Sequence, residues 1–256
     1  MIEKLKTLGW FASRPAFWQH AMELGFRKFR TNYDSEQCAR EATHWAQERS
    51  VSVADALRAI GIQGDGNPPQ IPPALIDEAT SLVKKSLVAM GGPGDLQLLH
   101  AAVDLSGAKR ILETGVAYGW SSLAILSALE DRQDAKLVSV DMPYPKAGND
   151  PYVGIAVPER MRLKWTLIRK PDRSGLVDAI NEFHGRIDFC HYDSDKSWWG
   201  RQYAFPILWN ALVPGGVFMI DDIQDNMAFA RFMESKKVPF AVTSFEGKFV
   251  GIARKY

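Results

Sequence analysis

An α/β protein is what this 256-residue sequence encodes, with a doubly wound, mostly parallel sheet, an antiparallel last hairpin and an N-terminal helical region. Three observations predict it. Short β-rich runs recur from residue 110 onward at Arg110–Thr114, Lys136–Asp141, Trp165–Arg169, Arg186–Asp193 and Gly216–Asp222, and an amphipathic pattern from Ser121 to Glu130 joins the first two as a crossover helix would. The first run leads directly into a tight glycine turn, Gly115-Val116-Ala117-Tyr118-Gly119, and then into that helix. The last two runs, Val238–Phe245 and Lys248–Arg254, flank Glu246-Gly247, a hairpin-like turn.

In chain order, residues 1 to about 60 read as helical, with Phe11, Phe17, Trp18, Met22, Leu24 and Phe26 giving an irregular apolar stripe that Ala39, Trp45, Val53, Ala54, Leu57 and Ile60 continue. These aromatics read as core or oligomer contacts. Ser52-Val53-Ala54-Asp55 has the form of a capping box, which starts a helix near Ser52 and stops it at Gly61. The stretch Gly64–Pro73 holds four prolines and two glycines in ten residues and suits neither helix nor strand. It divides the chain into a helical region at 1–63, a linker at 64–73 and a main domain at 74–256. Ala74–Met90 then reads as a helix ended by Gly91-Gly92-Pro93-Gly94, and Asp95 caps the next helix, Leu96–Leu105, which leads into the first strand. A further helix ending at Pro214-Gly215-Gly216 leads into the fifth strand.

Strand, tight turn and helix start in succession present backbone N–H groups and the positive end of a helix dipole to a ligand, so the turn is a nucleotide-type site. A dinucleotide fingerprint needs Gly-x-Gly-x-x-Gly, whereas Gly115, Ala117 and Gly119 come at intervals of two. What the spacing matches is acidic-x-Gly-x-Gly-x-Gly, with Glu113 as the acid and Ala117 in the middle glycine's place. This resembles motif I of the class I S-adenosylmethionine-dependent methyltransferases, which share a Rossmann-like sheet. The resemblance implies that Glu113, Thr114, Gly115, Ala117, Tyr118, Gly119, Ser121 and Ser122 hold the cofactor, that Asp141 accepts both ribose hydroxyls, that Ser174 or Asp172 approaches the adenine, and that Asp193 lies beside them. Gly91 and Gly92 either lie over the methionine part or only end a helix.

Asp193 ends the fourth strand and Asp221 and Asp222 end the fifth, so these carboxylates converge beside the turn in a sheet of this kind. Like charges gathered at one edge repel unless a cation or proton is shared, and an oxygen-rich set suits Mg²⁺, Mn²⁺ or Ca²⁺ over zinc. His191-Tyr192-Asp193-Ser194-Asp195-Lys196-Ser197-Trp198 is similar to the His-Ile-Asp-Gly-Asp-His-Ser-Tyr segment of a family that includes macrocin-type sugar O-methyltransferases and cephalosporin hydroxylase-like enzymes. That resemblance, which spans about Gly91 to Gly251, implies a divalent metal, Mg²⁺ among the candidates, at Asp193, Asp221 and Asp222. It departs at Ser194, where the family has glycine, and at Lys196, where it has histidine. A protonated lysine neither accepts a proton nor ligates a metal, so the base falls to Asp193 or Asp195. Lys196 steers an anionic substrate or pairs with Asp195. His191 reads as a buried, hydrogen-bonded histidine, and His20, His44, His100 and His184 show no ligand-like spacing. Tyr144 and Tyr152, in the long irregular loop after Asp141, are placed to line a substrate pocket. Trp198 and Trp199 either wall the acceptor site or pack at a helix start.

The expected reaction is transfer of the sulfonium methyl to a hydroxyl oxygen of a small molecule or saccharide. Its rivals are a cofactor-binding or partner-binding protein without turnover and an NAD-dependent oxidoreductase. Composition bounds the partners: net charge is +1, hydrophobic residues make up 46% and charged residues 24%, which predicts a globular protein with no global field for nucleic acid. The basic run Arg27-Lys28-Phe29-Arg30 reads as a solvated face ahead of its alternative, a polyanion or membrane-surface contact. Cys38 and Cys190 lie too far apart in sequence to suggest a disulfide framework. There is no apolar run of 18 residues and no signal-peptide pattern in Met1–Trp10, so a cytoplasmic chain without a transmembrane segment, with a homo-oligomer in view, is expected.

Overall fold

A computed structural model of the chain describes residues 7–256 apart from 8, 28, 65, 146 and 147. The leader expectation for Met1–Trp10 and the readings placed on Lys28, Asp65, Lys146 and Ala147 fall wholly or partly outside the described residues. Seven strands form one sheet: β1 (Arg110–Thr114), β2 (Lys136–Val140), β3 (Trp165–Ile168), β4 (Ile187–Tyr192), β5 (Leu212–Ile220), β6 (Phe240–Phe245) and β7 (Lys248–Arg254). Their order is β3-β2-β1-β4-β5-β7-β6. The first five pair in parallel, and β7 runs antiparallel to both β5 and β6. The doubly wound, mostly parallel architecture with an antiparallel closing hairpin is thus the one the sequence predicts.

Because side chains alternate across a strand, consecutive residues feed opposite layers. Ile111 and Met219 face a core shared with the helices α4 (Pro73–Val83), α5 (Leu96–Ser106) and α6 (Trp120–Ala128). Leu112 and Phe218 face the other layer, shared with α7 (Asp172–Asn181), α8 (Trp198–Ala211) and α9 (Ala228–Lys236). Both faces of the central strands are therefore covered, which is why they read as nearly unbroken apolar runs. Of the helices before the linker, α1 (Trp18–Arg27) buries no residue, whereas α2 (Glu36–Arg49) and α3 (Val53–Ala59) join the body. Ala46 enters the second core, and Ala56 and Leu57 enter the first. Val51 N–H also donates to the Val242 carbonyl at 2.9 Å.

Local signals set most element ends. Ser52 Oγ accepts the Asp55 N–H, and Gly61 leaves α3 at φ +70°. Asp95 Oδ1 accepts the Leu98 N–H at 3.0 Å, and Gly107 stops α5 at φ +65°. Two ends differ from expectation. The helix expected over Ala74–Met90 ends at Val83, because the following chain is drawn onto Tyr118: its hydroxyl donates to the Val88 carbonyl and accepts the Met90 N–H at 3.2 Å. The helix expected to end at Pro214–Gly216 ends at Ala211, and β5 begins at Leu212. Pro214 is tolerated there because the β4–β5 register is interrupted between Ile187 and Phe189.

The strand order places the switch of winding direction between β1 and β4. Ligands in open α/β sheets sit at the carboxyl ends of the strands there. Asp141, Asp193, Asp221 and Asp222 follow directly on the ends of β2, β4 and β5 at this edge.

Candidate functional site

A cavity of about 510 Å³ opens at that edge, lined from the glycine turn, the segment before α5, the loop after β2 and the ends of β4 and β5. The turn is built by backbone constraint. Gly115 leaves β1 at φ +78° and donates its N–H to the Val140 carbonyl at 2.9 Å. A Cβ at Gly115 would run into the Asp193 carbonyl oxygen. Ala117 takes the left-handed conformation at φ +47°, which costs an L-residue about 1–2 kcal/mol. That conformation is held because the Ala117 and Tyr118 carbonyls accept the N–H groups of Gly154 and Ala156 at 2.9 and 2.8 Å. Gly115→Ala is expected to destabilise the fold by about 1–3 kcal/mol, through overpacking and strained φ together. Urea melting of the variant checks it.

The residues expected to hold the cofactor divide into two groups. Gly115, Ala117, Ser121, Asp141, Asp172 and Asp193 line the cavity, as do Gly91, Gly92 and Tyr144. Glu113, Thr114, Tyr118, Gly119, Ser122 and Ser174 are not on its wall and brace it instead. Glu113 is fully buried, and its Oε2 accepts hydroxyl hydrogens from Ser122 and Ser139, each at 2.6 Å. That ties β1, β2 and α6 together beneath the turn. Thr114 Oγ1 accepts the Asp193 N–H at 3.2 Å and lies 3.0 Å from the Ser194 hydroxyl. Ser174 turns back to the Pro171 carbonyl. Asp141 Oδ1 accepts the Val116 N–H at 3.1 Å, while its other oxygen pairs with Arg169. Burial raises the Asp141 pKa, and these partners offset part of the rise. Two accepted bonds leave a carboxylate further lone pairs for a ribose. Asp172 is pushed up to about 6 by burial, against a 2.6 Å bond from the Ser194 hydroxyl.

The acids at the strand ends do not form a three-carboxylate cation site. The Lys196 ammonium lies between Asp193 and Asp222, 3.1 Å from Asp193 Oδ1 and in direct contact with Asp222 Oδ2. Burial alone would lower the Lys196 pKa, but the two carboxylates carry it upward. Asp222, drawn to Lys196, stays below the usual carboxylate range despite its burial. Asp221 turns toward His191, with Oδ1 3.4 Å from Nε2. Among the described residues, no three His, Cys, Asp or Glu side chains are arranged to hold a metal ion. The expectation of Mg²⁺ at Asp193, Asp221 and Asp222 is therefore corrected: the positive charge these carboxylates face comes from Lys196 and His191. Lys196 does not pair with Asp195, which is taken by Arg27 at 2.7 Å and by the Ser197 hydroxyl at 2.7 Å.

His191 lies fully buried between Glu113 and Asp221, with Nδ1 3.8 Å from Glu113 Oε1. Both contacts are too long for good hydrogen bonds, so the attraction is mainly coulombic. Burial would lower its pKa, yet Asp221 and Glu113 lift it to about 10. Asp193 is raised to about 7, first by burial and then by Asp221, with Lys196 and His191 pulling the other way.

The helix α1 also reaches this site. His20, Leu24 and Arg27 line the cavity, and Glu23 pairs with Arg173 across 150 residues of sequence. The sequence contained one faint signal, Glu23 and Arg27 four residues apart on one helix face. Trp198 and Trp199 do not line the cavity. Trp198 packs on Tyr33 at 4.7 Å, and Arg30 covers the Trp199 ring at 4.6 Å.

Residues 112–223 match the family model described as a methyltransferase domain. The chain is 27% identical over 178 residues to tricin synthase 2 of Oryza sativa subsp. japonica, covering 63% of this chain and 56% of that protein. It therefore spans about half the length of that curated relative. Among solved structures, the O-methyltransferase of Bacillus cereus in complex with SAH superposes with a TM-score of 0.54 at 16% identity, over 82% of this chain and 100% of that one. TomG of Streptomyces achromogenes, an O-methyltransferase in complex with SAM, gives 0.51 at 18% identity over 82% and 99%. At those identities the two structures establish the fold alone.

Proposed function

We propose that this chain, which carries a class I S-adenosylmethionine-dependent O-methyltransferase domain, moves a methyl group to a hydroxyl oxygen of a small-molecule or saccharide acceptor. The observation that carries the reading is Asp193: a half-buried carboxylate, its pKa raised to about 7, opens onto the same cavity as the glycine turn. When bound, S-adenosylmethionine supplies a sulfonium methyl for in-line displacement.

The cavity leaves room for that cation, because the six aspartates on its wall, Asp95, Asp141, Asp172, Asp193, Asp195 and Asp221, outnumber the cations Arg27, Arg173, Lys196 and His191 beside them. Asp141 orients the ribose through the lone pairs left by Val116 and Arg169, and Asp172 approaches the adenine. The Gly115–Ala117 backbone comes close to the cofactor where a larger turn would not allow it. Such positioning supplies much of the rate of a displacement reaction. The acceptor hydroxyl is a poor nucleophile until it loses its proton, and Asp193 receives that proton on its carboxylate. Asp195 is the weaker base candidate, since Arg27 and Ser197 already occupy it. Helix α1 serves as the cap, closing the cavity with His20, Leu24 and Arg27. A cytoplasmic location suits the free thiols of Cys38 and Cys190.

Calorimetric titration of S-adenosylhomocysteine into the full chain, in EDTA, tests the cofactor site. Asp141→Ala is expected to weaken binding by about tenfold or more, the cost of losing hydrogen bonds to a charged acceptor. Equal affinity in the two proteins would remove Asp141 from the site. No binding by the wild type would remove the methyltransferase reading itself.

A further inference from the structure

Helix α1 is amphipathic in the reverse of the usual sense. Its charged side chains face the body, where Arg27 reaches Asp195 and Ser197 and Glu23 reaches Arg27 at 2.9 Å as well as Arg173. Apart from Leu24, which lines the cavity, its large apolar side chains face out. Trp18, Met22 and Phe26 are 52%, 60% and 65% exposed, and Phe29 just beyond the helix is 89% exposed. At about 100° per residue, positions 18, 22 and 26 fall within an arc of roughly 80°, so they form one continuous stripe. Isolated exposed apolar residues need no explanation, but a contiguous stripe of large ones marks a contact surface.

Charge identifies what covers it. Arg14 and Arg30, both exposed, bracket the stripe in sequence, Arg14 over the Trp10 ring and Arg30 over Trp199. The first thirty residues contain six lysines and arginines against two glutamates, while the whole chain is only +1, so the remainder is net negative. Of those two acids Glu23 is turned inward to Arg173, which leaves no acid on the outward side of α1. A symmetric contact with a second copy would set this basic, apolar face against its own image, and the like charges would repel. An anionic surface has the opposite sign. Tryptophan, phenylalanine and methionine between arginines is the composition of helices that lie in a lipid interface. No helix among the described residues is long and apolar enough to cross a membrane, so the contact is interfacial.

We propose that the Trp18–Met22–Phe26 face of α1 docks the protein onto an anionic lipid surface. The opposite face of the same helix walls the cavity, so the docked helix is also the one that encloses the site.

Co-sedimentation of the full chain with phosphatidylcholine vesicles, with and without phosphatidylglycerol, tests this. The wild type is expected to pellet with the anionic vesicles, about tenfold less with pure phosphatidylcholine, and less as salt is raised. Met22→Asp combined with Phe26→Asp is expected to lose about tenfold in partitioning, with circular dichroism and S-adenosylhomocysteine affinity unchanged because neither side chain lines the cavity. Arg14→Glu with Arg30→Glu is a second variant set that leaves the apolar stripe intact and is expected to show the same loss. Pelleting that ignores phosphatidylglycerol, or that is equal in wild type and both variants, overturns the proposal. So does a wild-type dimer in light scattering that the Met22 and Phe26 changes dissociate without any vesicle binding, which assigns the face to a second copy.

Discussion

Asp193→Asn is expected to lower kcat for methyl transfer by about 10²- to 10⁴-fold, the range over which a positioned general base contributes. The substitution keeps the size and shape of the side chain, so S-adenosylhomocysteine affinity is expected to stay within a few-fold, and the loss falls on kcat. The pH dependence separates this from a packing defect. Asp193 accepts a proton only when ionised, and its pKa stands near 7 because burial and Asp221 outweigh Lys196 and His191. Activity of the wild type is therefore expected to rise as pH passes up through about 7 and then level off. The residual activity of Asp193→Asn is expected to lack that rise. Steady-state rates from pH 5.5 to 9 check it, and a variant with wild-type kcat would remove Asp193 from the chemistry.

The parts of this molecule that sequence made legible are those specified locally. Apolar runs of strand length, the Gly115–Gly119 turn and the caps at Ser52 and Asp95 each depend on residues within a few positions, and each lies where expected except that β5 starts at Leu212, ahead of Gly216. The strand ends carrying Asp141, Asp193 and Asp221 follow from topology once the parallel sheet is recognised. What sequence could not supply are contacts between distant segments. The Tyr118 hydroxyl that ends α4 early lies some 30 residues from Val88. Counting acids at strand ends suggests a metal, but only the folded chain shows the Lys196 ammonium between two of them. The reach of α1 over the cavity depends on pairs such as Glu23 with Arg173, for which no local pattern exists. Glu113 shows a subtler limit. Its place in the motif is as expected, but its side chain turns under the turn to Ser122 and Ser139.

His191 connects that buried acid to the reacting edge, and His191→Leu is expected to be the most destabilising single change at the site. Glu113 is wholly inside the protein and has Ser122, Ser139 and the imidazolium as its neighbours of opposite polarity. Removing the cation leaves two carboxylates, Glu113 and Asp221, facing an apolar side chain, and breaking a buried charge pair in this way costs about 3–5 kcal/mol. For a chain of this length that corresponds to a fall in Tm on the order of 10 °C. The sign of the pH dependence follows from the raised pKa. His191 binds its proton more tightly folded than unfolded, so its electrostatic contribution is complete below the ordinary value of 6.5 and is lost as pH climbs through about 10. The stability gap between wild type and His191→Leu, from urea titrations at successive pH values, is therefore expected to be widest near pH 6 and to narrow toward pH 10. A gap independent of pH would make His191 a neutral packing residue. The same variant carries a catalytic consequence: His191 is one of the two cations that hold the Asp193 pKa down, so its loss is expected to move the activity rise above pH 7. Stability and rate would then shift together, because one buried imidazolium sets the charge balance beneath the glycine turn and at Asp193.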